Sequence, residues 1–289
     1  MAMLSDNFYR PERLSERLWA IWSRTGEVMY LIVGTDAAVL VDTCVGVGDL
    51  RSVVEDITNL PVTVLLTHGH VDHAMGSALF DTVYMNPLDK NVFLAHRPRA
   101  ERQGYVEANL GAEPGSWADA DWVPEIDPDF NELSDGMRFE LGGVSVEAYA
   151  LPGHTPGCMV MLVPEERALI TGDAANNSTF LFDEWTLPVE AYRKNLIELA
   201  GRLEGRYDRC YVMHHQTEAS GRLLHNVIEV CDDILQGNTD DYPYRFRGGT
   251  YCIAKAADKH FVRADGGEGN IVYSKDHVFA SEKGIGHED

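Results

Sequence analysis

Apolar residues gather in short runs set apart by turn-forming residues. The runs at 28–33, 37–41 and 62–66 read as strands, the last of them buried, and 79–85 as a further short strand. Residues 12–22 read as a short helix and 86–96 as another. Further on, 144–151, 158–163 and 168–171 are strand-like. Leu196, Leu199 and Leu203 recur at helical spacing within 189–203, and 210–213 closes the series. The two halves echo each other as strands, then helix, then strand, with a His or Asp just past several strand ends. No sequence repeat accompanies the echo. Donors collected at the carboxyl ends of strands are the habit of mixed α/β folds.

Residues 97–135 break the pattern. They are rich in Gly, Pro, Asp and Glu and carry Trp117 and Trp122, so they read as a lid-like insertion within one domain of 289 residues. From about 239 onward the chain reads as a loop-rich extension with a charged tail. Hydrophobic residues at 45% and charged residues at 24% suit a globular protein with a sizeable core. The formal net charge of −22 changes the picture more, since it repels phosphate backbones and anionic membrane surfaces. No nucleic acid and no membrane is expected as a partner. The five cysteines stand singly without a CxxC pair, which suits reduced thiols. Residues 1–24 lack the apolar core of a secretory signal, and no run is long enough to span a membrane. A cytoplasmic location is expected.

Chemistry enters at His68-Gly69-His70-Val71-Asp72-His73, directly after the 62–66 run. Three imidazoles and a carboxylate are donors that zinc, iron or manganese take. They converge if the strand ends in a sharp turn, which Gly69 permits, and a helix begins near Asp72. Two more strand ends carry donors: His154, inside Leu151-Pro152-Gly153-His154-Thr155-Pro156-Gly157, and Asp173, just after Gly172. A third ends in Met213-His214-His215. The bland alternatives are a histidine-rich polar loop for the first cluster and a turn or helix cap for Asp173. Cys44 reads as a small packed residue, while His225, His260, His277 and His287 stand alone and read as solvent-facing.

Taken in order, HxHxDH, PGHTPG, a strand ending in Gly-Asp and a strand ending in His resemble the metallo-β-lactamase superfamily. The lead-in Leu40-Val41-Asp42-Thr43 is similar too, and the likeness covers about residues 28–216. It implies an α/β fold, a four-layer αββα sandwich with the site at one edge between the sheets. Carried over by position, it implies that His68, His70 and His154 hold one metal. Asp72, His73 and the late His would hold a second, with Asp173 bridging. Met213 stands where the family has a proline two residues before that His, a register favouring His215 over His214. The resemblance further implies two divalent ions, zinc first and iron or manganese as alternatives, with a bridging hydroxide as nucleophile and Asp72 as proton acceptor.

Within the superfamily, the retained His70 and the absence of a flavodoxin domain point away from flavodiiron-type members, and the charge points away from nucleases. The remaining branch resembles glyoxalase II and the N-acyl homoserine lactone lactonases, hydrolases of small esters, thioesters and lactones. Asn176 stands where lactonases carry a tyrosine three residues after the bridging Asp. Its amide is a candidate substrate contact that donates a hydrogen bond but is no acid. One rival resembles a persulfide-type dioxygenase with a single iron; another is a non-catalytic, metal-stabilised binding protein. The expected partner is a small-molecule substrate, with a homodimer as the commonest assembly.

Overall fold

A computed structural model describes residues 8–111, 117–127, 129–214 and 216–280. The first half builds one sheet from β1 (Tyr9–Arg13), β2 (Leu18–Ser23), β3 (Val28–Val33), β4 (Ala38–Val41), β5 (Val62–Leu65), β6 (Val83–Met85) and β7 (Asn131–Glu132), side by side in that order. Neighbours are antiparallel up to β4 and parallel from there on. Helices α1 (Leu50–Ile57), α2 (Lys90–His96) and α3 (Arg99–Leu110) interrupt it. The second half continues with β8 (Arg138–Glu140), β9 (Ser145–Ala150), β10 (Met159–Val163), β11 (Ala168–Ile170), β12 (Thr179–Leu181), α4 (Val189–Arg202), β13 (Arg209–Tyr211), β14 (Glu218–Ser220) and α5 (Leu223–Gln236). Its sheet runs β14-β13-β11-β10-β9-β8. Finally β15 (Tyr242–Phe246), β16 (Gly249–Ile253) and β17 (Ile271–Tyr273) join β12 in a small sheet ordered β12-β17-β16-β15.

The continuous apolar runs have a direct cause. In β3, Val28, Tyr30 and Ile32 face the second sheet while Met29 and Leu31 face the first helix layer. In β10, Met159, Met161 and Val163 face the first sheet while Val160 and Leu162 face α4 and α5. A strand covered on both faces has no polar alternate positions. Helix α4 presents Val189, Tyr192, Leu196 and Leu199 as one buried stripe, and α1 buries Leu50 and Val54 on the opposite side of the molecule. The layers are therefore helices, sheet, sheet, helices: the αββα sandwich expected from the sequence. Among the described residues, no helix is long and apolar enough to cross a membrane.

Three local expectations need correction. Residues 12–22 are not a helix but belong to the β1–β2 hairpin, paired from Tyr9↔Ser23 to Arg13↔Trp19. Leu18, Ala20 and Ile21 are all fully buried, so the alternation that marks a strand is lost and a helical stripe is mimicked. The region after 239 is not merely loops, since it holds the β15–β16 hairpin and β17. Its first strand carries Pro243 on a sheet edge with mostly exposed residues, which hides it from a burial pattern. The 97–135 insertion contains α3, anchored by Arg102.

Arg102 is only 1% exposed. Its Nε donates to the Val45 carbonyl at 2.9 Å and one terminal nitrogen to that of Val123 at 2.8 Å. The other terminal nitrogen donates to the Gly46 carbonyl. One guanidinium thus ties α3 both to the loop after β4 and to the tail of the insertion. Arg102→Ala should lower the unfolding free energy by about 3 kcal/mol, because three carbonyls lose a charged donor. A urea midpoint within experimental error of the wild type would show that water replaces the side chain there.

Candidate metal centre

The site forms where strands from both sheets end. After β5 the chain turns at Gly69, where an added Cβ would lie 2.7 Å from the Phe93 nitrogen and 2.9 Å from the Asp89 carbonyl oxygen. Only glycine fits so close to α2. The expected helix near Asp72 is instead a tight turn, with the His73 and Ala74 amides donating to the His70 carbonyl. That turn puts His70 and His73 on different sides of the cluster. After β11, Gly172 adopts φ +55 and swings Asp173 back over the site.

Two sets of donors result. His68, His70 and His154 are all buried and form the first. His70 Nδ1 lies 3.1 Å from His68 Nε2 and 2.9 Å from His154 Nε2. Hydrogen-bond partners assign the tautomers. The Thr67 hydroxyl donates to Asp42 at 2.7 Å, so it accepts from His68 Nδ1 at 3.0 Å. His154 Nδ1 donates to the Phe180 carbonyl at 2.9 Å. Both Nε2 atoms therefore turn lone pairs toward His70 Nδ1. Burial, then the neighbouring imidazoles, hold His68 and His70 well below the usual histidine range, so both stay neutral as ligands require.

Asp72, His73 and His214 form the second set. His73 Nε2 is buried without a hydrogen-bond partner, 3.6 Å from Asp72 Oδ2 and 3.5 Å from Asp173 Oδ2. Such gaps are too long for hydrogen bonds. They match the roughly 3.3 Å between donors around a tetrahedral ion with bonds of about 2.0–2.1 Å. His214 Nε2 lies 3.1 Å and 3.2 Å from the two Asp173 oxygens and 3.6 Å from Asp72 Oδ2. Burial disfavours charge on His214, yet Asp173 and then Asp72 push it up to about 9. His73 is likewise raised by Asp72 and Asp173 against the effect of burial. Asp173 Oδ2 also sits 3.7 Å from His154 Nε2, between the two sets. The orphaned His73 nitrogen, the facing lone pairs and the convergent carboxylates fit divalent cations.

All the donors expected before residue 200 thus come together. His215, favoured by register, lies outside the described residues; its neighbour His214 occupies this corner. Asn176 is buried with its amide committed, Nδ2 donating to Asp173 Oδ1 at 3.0 Å and Oδ1 accepting from the Ser178 amide at 2.6 Å. Cys44 is buried as expected, its thiol hydrogen-bonded to Glu27 and pushed up by burial.

Several supporting groups were not singled out from sequence. Asp42 follows β4 in a left-handed backbone conformation, φ 64, which Asp tolerates better than most residues. It is 1% exposed and accepts from the Thr67 amide at 2.6 Å and from His73 Nδ1 at 2.7 Å. Its carboxylate thus orients His73 directly and His68 through Thr67. Asp89 is fully buried and accepts from the Gly69 amide, the Thr155 hydroxyl and the Gly157 amide at 2.8, 2.8 and 2.6 Å. It clasps the two ligand loops together. Tyr105, from α3, places its hydroxyl 3.1 Å from Asp72 Oδ2 and also on the buried Glu27.

Comparison with known proteins agrees with the fold. A family profile described as the metallo-beta-lactamase superfamily matches residues 23–219, more than half of the chain. A hydroxyacylglutathione hydrolase of Ruegeria pomeroyi is 33% identical over 111 residues, 38% of this chain and 32% of that protein. The human acyl-coenzyme A thioesterase MBLAC2 is 25% identical over 232 residues, 73% of this chain and 80% of that protein. The matched stretch spans only 56–57% of several other curated relatives. Among solved structures, a metallo-beta-lactamase from Pontibacter korlensis superposes with a TM-score of 0.55 at 18% identity, covering 76% of this chain and 97% of that one.

Proposed function

We propose a function from one premise: the chain belongs to the metallo-β-lactamase superfamily. The reading its site supports best is a dinuclear metal-dependent hydrolase of a small ester, thioester or lactone. The observation that carries it is the placement of Asp173, within 3.7 Å of an imidazole from each donor set. His68, His70 and His154 would hold one ion, and Asp72, His73 and His214 the other, with Asp173 shared. Ions bound there would supply an activated water near neutral pH and Lewis acidity toward the acyl carbonyl. The relatives named as a thioesterase and as a hydroxyacylglutathione hydrolase support an acyl substrate.

The chain's own residues do the rest. Asp42, directly and through Thr67, and the Phe180 carbonyl fix the tautomers of His73, His68 and His154, so these three rings turn their Nε2 lone pairs toward the site. Asp72 has a 13% exposed side chain at the edge of the site, where it takes the proton released as water adds and returns it to the leaving group. The Tyr105 hydroxyl, donating at 3.1 Å, holds that carboxylate in place.

Elemental mass spectrometry on protein purified without chelators tests this, together with rates on a panel of esters, thioesters and lactones. About two zinc-class ions per chain are expected, and chelation should lower the rate at least about 100-fold, restored by added metal. A single iron with oxygen uptake on a glutathione persulfide would replace this reading with the dioxygenase. Hydrolysis of nothing in the panel would overturn it outright.

A further inference from the structure

Glu27 stands at the head of β3, where strand alternation puts it on the side of Met29 and Leu31, facing the helix layer that holds α3. It is 1% exposed. Its carboxylate accepts from the Ser23 hydroxyl at 2.5 Å and from the Cys44 thiol at 3.4 Å. The Thr25 and Tyr105 hydroxyls donate to it as well. All four donors are neutral, and among the described residues no cationic side chain forms an ion pair with it. Neutral dipoles offset only part of the cost of burying a carboxylate. A divalent ion held by Asp72, His73 and His214 would supply the opposite charge one hydroxyl away.

Three routes lead from this carboxylate to the second donor set. The Tyr105 hydroxyl lies between it and Asp72 Oδ2, 3.1 Å from the latter, so one hydrogen serves two carboxylates. Two anions so placed repel each other unless a cation sits beside them. The backbone of Glu27 pairs with that of His214 in an antiparallel bridge, and the Val28 amide donates to the Met213 carbonyl at 2.9 Å. Cys44, whose thiol donates to Glu27, pairs by its own backbone with Ala74, the residue after His73. Asp72, His73 and His214 are thus all tied to one glutamate. The first donor set is tied elsewhere, His68 to Thr67 and His154 to the Phe180 carbonyl.

We propose that Glu27 is a positioning residue for the second metal ion: acting through Tyr105 it fixes the carboxylate of Asp72, and so sets the affinity for that ion and not for the first. The proposal rests on the dinuclear reading and extends it to a group that meets neither ion.

Chelator-stripped protein titrated with cobalt(II), followed by calorimetry and visible absorption, tests this. Asp72→Ala marks which binding step belongs to the second set. The wild type should take up two ions. In Glu27→Gln and in Tyr105→Phe the second-set ion should bind at least about tenfold more weakly, while the first keeps its affinity within about twofold. The double variant should lose no more than the worse single one, because both changes cut the same path. A purely structural role would weaken both ions together, and urea unfolding of the stripped protein reports folding separately. If Glu27→Gln does not fold, Tyr105→Phe, which loses only a hydroxyl, decides alone. Unchanged affinities in Tyr105→Phe, or equal weakening of both ions, overturn the positioning role and leave the hydrolase standing. A single ion in the wild type overturns the dinuclear reading and this role with it.

Discussion

Asp173→Asn is expected to lower kcat/KM by about 10²–10³-fold and to reduce bound metal from about two ions per chain to about one or fewer. The amide keeps the shape of the side chain but loses the charge that both donor sets share. Its nitrogen would turn donor protons toward His73 and His214, whose Nε2 atoms lie 3.5 Å and 3.2 Å from Asp173 Oδ2. Elemental analysis and kinetics on the same preparation separate the two effects. A variant that keeps two ions and loses only rate would make Asp173 a participant in the chemistry rather than a shared ligand. Full activity would remove it from the centre.

Asp42→Ala should be the most damaging change outside the ligands, at about 3–5 kcal/mol of unfolding free energy. Four features combine: near-complete burial, a left-handed backbone, and hydrogen bonds to Thr67 and His73 that no water can reach. Asp42→Asn is the milder companion. It preserves packing but presents a donor to one of two donors, and metal affinity should fall about 10–100-fold. Urea unfolding of the first and a metal titration of the second give the readouts. Wild-type affinity in Asp42→Asn would mean that the orientation of His73 is set elsewhere.

The αββα layering was legible only through the family resemblance of the motifs; the patterning by itself marked the apolar central strands and the stripe of α4, not how they stack. The His68–His73 cluster was legible because four donors within six residues leave little room for coincidence. His154 and Asp173 were legible as donors placed just beyond strands, marked by neighbouring glycines. Asp42, Asp89 and Tyr105 were not, because each acts across the chain. Asp42 meets His73 over 31 positions, and Asp89 meets Gly157 over 68. Asp42 stood out as a carboxylate directly after a fully apolar strand and within the Leu40-Val41-Asp42-Thr43 lead-in, but neither hint pointed to its tie to His73. The hairpin after residue 239 escaped because its residues are shielded by one another rather than by the core, so no burial periodicity betrays them.

The uneven spread of the donors along the chain bears on the denatured ensemble. Four of them stay within six residues of one another even when nothing else is folded, so an unfolded chain retains some affinity for the same ions. Linkage then credits metal with only the difference between the two states, and that difference comes from His154, Asp173 and His214. The gain in melting temperature on loading should fall short of what the affinity alone implies. On the ribosome the same asymmetry works the other way: the first cluster emerges well before its distant partners, able to capture an ion while the second sheet is still being made.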